Sequence, residues 1–161
     1  MLALPLAIVP AAAQTRDDCR AIRALTNADG RRFADVSLGI ARAPYRVSLG
    51  IRGVEALPSP ESCNLGVYTD EVVIRCTWMG GHDISAGMTY DRVFAVLNRC
   101  LTGISPSTEL SYAAPAVRRS QSKIPTLDGV TEIDLQQIAS AQDLVFEYVS
   151  LEIRYQVDNP D

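Results

Sequence analysis

Cys63-Asn64-Leu65-Gly66-Val67-Tyr68-Thr69-Asp70-Glu71-Val72-Val73-Ile74-Arg75-Cys76-Thr77-Trp78 is the stretch from which the fold can be worked out. Two alternating runs flank Thr69-Asp70 as the strands of a hairpin flank a tight turn. Folding about that turn sets Val67 opposite Val72, Leu65 opposite Ile74 and Cys63 opposite Cys76. All six then share one face, because side chains alternate sides with a period of two. With a two-residue loop the cysteine pair falls at a non-hydrogen-bonded position, where the chains come closest and a bridge fits best. Thr-Asp is not a favoured two-residue hairpin turn, so a longer loop of the same symmetry is the alternative.

That register organises the remaining cysteines. The four are Cys19, Cys63, Cys76 and Cys100, successively 44, 13 and 24 positions apart. None forms the close Cys-x-x-Cys pair from which zinc sites draw two thiolates, so no metal is expected. Four cysteines allow three pairings. Once Cys63 takes Cys76, Cys19 and Cys100 join each other and tie a first helix to a second. The competing reading is a free, reactive thiol.

Downstream of the hairpin, a helix is expected from about Ser85 to Leu101. Tyr90, Val93, Phe94, Leu97, Cys100 and Leu101 follow helical spacing, while Asp91, Arg92, Asn98 and Arg99 face water. Upstream, Asp17-Asp18 is read as the cap of a helix carrying Cys19, Ile22 and Leu25 and ending near Asp29-Gly30. Val-Ser-Leu-Gly-Ile occurs at Val36–Ile40 and again at Val47–Ile51, suggesting a hairpin about Ala41–Pro44 with the first helix running on through Phe33 as the alternative, and Val-Ser-Leu-Glu-Ile appears at Val149–Ile153. Leu57–Glu61, with Pro58 and Pro60, reads as a stiff connector.

In the second half, Glu109–Ala113 is expected to be a short strand and Ala114–Asp128 a long polar loop holding Arg118, Arg119 and Lys123. Ile133 and Leu135 mark another short strand. Leu144–Val157 reads as a long one, with Val149, Leu151, Ile153, Tyr155 and Val157 facing inward. Its apolar parity switches upstream, which predicts a bulge or bend near Glu147–Val149. The fold class that follows is α+β: two layers, a mainly antiparallel sheet of about five strands with two helices on one face.

The 161-residue chain is 47% hydrophobic and 21% charged, the balance of a single globular domain. Residues 1–13 are uncharged, apolar and end in Ala-Ala-Ala, the pattern of a signal-peptide core cleaved after Ala13. No Lys or Arg precedes that run, and it is shorter than the roughly 20 residues a membrane span needs. Residues 14–161 then form one disulfide-braced domain, periplasmic or secreted, with no stable membrane span. The net charge of −4 and the lack of any basic run beyond a pair argue against nucleic acid as a partner. Fourteen of the fifteen basic residues are Arg.

Candidates for chemistry are few. His82, the only histidine, stands beside Asp83 after Gly80-Gly81. A general base needs its carboxylate and its nucleophile on opposite sides of the imidazole, which sequence neighbours rarely achieve. No nucleophile elbow, phosphate-binding loop or dinucleotide-binding turn is present, and no cofactor is implied. Trp78 is read as packing against the hairpin bridge. Arg118, Arg119 and Lys123 are the candidate contact with an acidic partner surface. The expectation is an exported, non-enzymatic domain that binds a protein or cell-envelope component. A small hydrolase using His82 with a nearby carboxylate and a structural envelope protein are the alternatives.

Overall fold

The structure is a computed structural model that describes residues 11–32, 51, 53–68, 71–80, 85–105, 108–109, 116–139 and 147–157. The expected Val36–Ile51 hairpin, the Thr69-Asp70 turn, His82, Asp83 and the first ten residues of the signal segment lie outside them, Ile51 excepted.

Among the described residues two helices and six strands follow one another: α1 (Ala11–Leu25), β1 (Ser62–Val67), β2 (Glu71–Met79), α2 (Ala86–Cys100), β3 (Thr108–Glu109), β4 (Ala116–Pro125), β5 (Gly129–Ala139) and β6 (Glu147–Val157), with a 3-10 turn at Val54–Ala56. The strands form one antiparallel sheet in the order β1-β2-β6-β5-β4-β3. β3 is a two-residue edge on five longer strands, so the molecule is α+β as the patterning predicts.

The first hairpin has the register read from its sequence. Val67 pairs Val72, Leu65 pairs Ile74 and Cys63 pairs Cys76. Cys63 and Cys76 are joined by a disulfide, as are Cys19 and Cys100, with Cα separations of 4.0 and 4.8 Å. The second bridge ties the middle of α1 to the end of α2.

Alternation divides the sheet into two faces. On the inner face β2 presents Val72, Ile74, Cys76 and Trp78, β6 presents Val149, Leu151, Ile153 and Tyr155, and β5 presents Ile133 and Leu135, all buried. Tyr90, Val93 and Leu97 of α2 and Ile22 and Leu25 of α1 close over them. Trp78 is buried as packing requires, and its indole N–H donates to the Pro58 carbonyl, which fastens the connector to β2. Ser85 caps α2, its hydroxyl accepting from Met88 N–H at 3.2 Å.

Four sequence expectations are corrected. α1 starts at Ala11, so Asp17 and Asp18 lie inside the helix and do not cap it; the alanines at 11–13 are strong helix formers and carry it back by more than a turn. The helix ends where Asn27 turns left-handed (φ 50°), with Ala28 N–H bonded to Arg23 O and Asn27 N–H to Ala24 O.

The stretch 114–128 is not a loop: from Ala116 to Pro125 it is β4, paired along its length with β5. Between Arg118 and Ile124 its inward positions are Ser120 and Ser122, buried but polar, which removes the apolar alternation that marks a strand. The Ser120 hydroxyl is 2.6 Å from the Tyr90 hydroxyl, so a small polar residue sits where a large ring needs both space and a partner.

The strand at Ile133 and Leu135 is correspondingly longer than expected, eleven residues in all. No bend breaks β6 at Glu147–Val149, where its pairing with β5 and β2 is regular. Tyr148 merely faces the other side of the sheet, and the one register shift lies between Ala116 and Arg118. Of the strand expected over Glu109–Ala113, only Glu109 is described, at the end of β3.

Gly53 marks a close approach. Its φ is 101°, and a Cβ there would lie 2.6 Å from the Ala21 carbonyl oxygen of α1.

Loop closure predicts that the two bridges differ in weight. Replacing Cys63 and Cys76 by Ser should cost about 3 kcal/mol, and replacing Cys19 and Cys100 about 4.5 kcal/mol, as read by denaturant unfolding. Tyr155 supplies a second test. Its hydroxyl donates to the Leu25 carbonyl, and burial raises the phenol well above 10.0, opposed weakly by Arg31. The unfolded chain therefore loses this proton before the native protein does. Stability should fall as pH rises above about 10, by up to 1.4 kcal/mol per unit. Tyr155→Phe should flatten that decline while costing about 1–3 kcal/mol near neutrality.

Candidate functional site

The outer face of the sheet carries the side chains left over from core formation, and among the described residues no helix lies on it. Cross-strand pairing arranges them in rungs. One runs Arg75, Glu152, Asp134, Gln121; the next runs Val73, Arg154, Glu132, Lys123; a third holds Thr77, Ser150, Gln136 and Arg119. Opposite charges thus stand beside or diagonally across from one another, at separations that antiparallel pairing sets.

Every charge in these rungs is paired. Arg119 grips Asp134 with two nitrogens at 2.9 and 2.6 Å, and Gln136 adds a third donor to the same carboxylate at 2.7 Å. Lys123 lies 2.5 Å from Glu132. Glu152 accepts from both Arg75 and Arg154, and Arg154 also reaches Glu71 at 3.6 Å. Burial raises the Glu152 pKa, but the hydrogen bonds from Arg75 and Arg154 outweigh it and hold the group below its ordinary 4.5.

Between these pairs is a shallow depression of about 370 Å³, lined by Arg119, Gln121, Lys123, Glu132, Asp134, Glu152 and Arg154 among others. An apolar row, Met79, Tyr148 and Ile138, crosses the face at one end of the strands. At the other end the exposed Tyr68 ring lies over Gly66, where a Cβ would come within 3.0 Å of it.

The three basic residues singled out from sequence are separated by the sheet. Arg119 and Lys123 stand on the outer face. Arg118 points to the helix side, 4.3 Å above the Tyr90 ring and 2.8 Å from Asp91. The register shift at Ala116/Arg118 and strand alternation together place neighbours in sequence on opposite faces. Arg75, Arg154, Glu132, Asp134 and Glu152 were not singled out at all; the signal for them was the polar half of the same alternation that marked the strands.

Chemically the face offers fixed donors and acceptors. Its carboxylates are engaged by guanidinium or ammonium groups. No cluster of three or more His, Cys, Asp or Glu that could hold a metal ion occurs among the described residues. No helix among them is long and apolar enough to cross a membrane.

In comparisons with known proteins, no family model matches the chain and no curated protein matches it.

The depressed Glu152 pKa sets a pH signature. Its ion-pair contribution is present above about pH 4.5 and is lost as pH falls through the native pKa. Glu152→Gln should be less stable than the wild type near neutrality by at most about 1 kcal/mol, because the site is partly exposed. Denaturant titrations should show that gap closing below pH 4.

Proposed function

We propose that this chain is an exported, non-enzymatic domain that binds a protein partner of the cell envelope through the outer face of its sheet. The observation that carries the reading is the face itself: Arg75, Arg119, Arg154, Tyr148 and Met79 presented together on a rigid five-strand platform that no described element covers. Arg, Tyr and Met are the residue types enriched where proteins meet. Strands about 4.8 Å apart and roughly ten residues long give a face on the order of 700 Å², close to the ~800 Å² each partner gives to a standard interface.

Export is supported by the two disulfides, which persist in oxidising compartments, and by the apolar run ending at Ala13. Cleavage after Ala13 would remove the first three residues of α1 and leave Cys19, Ile22 and Leu25 in place. The ion pairs favour a partner of mixed charge, because the four basic side chains of the rungs are set among three acidic ones and Glu71 adjoins them.

The test is retention of a stoichiometric partner from envelope and secreted fractions on the oxidised protein, repeated with Arg75→Ala/Arg154→Ala. Circular dichroism should show the variant folded, with affinity reduced by tenfold or more. A partner held equally by the variant would remove the outer face from the reading. Amino-terminal sequencing of the exported protein should begin at Gln14.

A further inference from the structure

Cleavage after Ala13 would leave Gln14 as the first residue both of the exported chain and of a shortened α1. The helix meets the rest of the protein further on. Cys19 packs on the core and is bridged to Cys100, and Ile22 and Leu25 are buried. Arg16 and Asp17, by contrast, are exposed. The new terminus would thus stand more than a turn ahead of the first core contact, on a helix anchored from its middle onward.

A glutamine at a chain's start can react with its own α-amine, because attack on Cδ closes an unstrained five-membered ring. An ammonium would in any case be poorly sited here. It would add positive charge to the positive end of the helix dipole, close to Arg16. Ring closure removes that charge, while Asp17 and Asp18, brought by the cleavage to within about a turn of the helix start, keep charges that suit this end. The ring N–H falls among the first-turn donors that have no acceptor within the helix, so the lactam takes no hydrogen bond from α1.

We infer that Gln14 is a modification site and that the exported protein begins with a pyroglutamyl residue, an inference that rests on the cleavage after Ala13 included in the export reading. The α-nitrogen of Gln14 attacks Cδ of the carboxamide. The N–Cδ bond forms, the Cδ–Nε2 bond breaks, and Nε2 leaves as ammonia with the proton that the amine gives up. Nothing is oxidised or reduced, and no co-reactant is consumed. The product is a neutral lactam at the head of α1. An aminopeptidase needs a free α-amine, and the lactam offers none. Exposed termini are where proteolysis concentrates, so the lactam shields α1 from trimming toward the Cys19–Cys100 bridge.

Intact-mass measurement with fragmentation, which reads a blocked terminus, on protein freshly recovered from the envelope or secreted fraction tests this. The expected result is a chain that starts at residue 14 and is lighter by one ammonia. It should resist aminopeptidase digestion until a pyroglutamyl peptidase has removed the first residue. Gln14→Ser should start at the same position with its full mass and a free amine, and should lose residues to the aminopeptidase directly. Should that variant not be processed, the wild type before and after the pyroglutamyl peptidase gives the same comparison. A chain that starts at Gln14 with its full mass overturns the inference and leaves the export reading standing. A start at any other residue overturns the cleavage after Ala13 and the modification together. A mass that begins full and becomes lighter only on storage overturns the lactam as a property of the exported protein.

Discussion

The alternation of Val149, Leu151, Ile153 and Tyr155 along β6 is the constraint on which the rest of the molecule depends. β6 is last in the chain but central in the sheet, with β2 on one side and β5 on the other. Neither the β1–β2 hairpin nor the β4–β5 hairpin has a covered face large enough to stand alone. They become one surface only when β6 lies between them, and Ile153 sits in the same rung as Ile74 and Ile133. A one-residue slip would turn all four buried side chains of β6 outward and bring Glu152 and Arg154 inward, at the cost of desolvating charges. Register is therefore enforced from both faces at once.

The two disulfides act on parts of the structure that β6 does not reach. Cys63–Cys76 fixes β1 to β2, its neighbour among the described strands. Cys19–Cys100 fixes α1, whose other anchors are Ile22, Leu25 and the Tyr155 hydroxyl on the Leu25 carbonyl. Both bridges lie in or against the buried core, with Cys63, Cys76 and Cys100 among its members and Cys19 packed on it. A chain of this size can bury enough surface to build a core of its own, so the bridges add stability to that core and do not replace it.

What was legible in the sequence follows the same division. The β1–β2 register, both bridges and α2 could be read because their inward positions are apolar at a clean period of 2 or 3.6. β4 could not, because the buried positions on its inward side are Ser120 and Ser122, polar residues of which Ser120 partners the Tyr90 hydroxyl. The outer-face site was legible only in part. Arg119 and Lys123 were noticed as neighbours of Arg118, yet their real associates, Asp134, Glu132 and Arg154, come from strands far away in sequence. Cross-strand neighbours are fixed by register, and register was known for one hairpin only.

The polarity of the outer face bears on what it can do. Isolated exposed ion pairs contribute little to stability, so a lattice of them is not explained by folding energy alone. Holding Arg119 and Arg154 in fixed forks restricts long side chains before any partner arrives, and that ordering then need not be lost on association. The same pairing limits affinity for simple ions, since each cation already has its carboxylate. Under the proposed reading, a surface so arranged would discriminate by the positions of many paired charges and not by net charge, as a second folded surface can and a small ligand cannot.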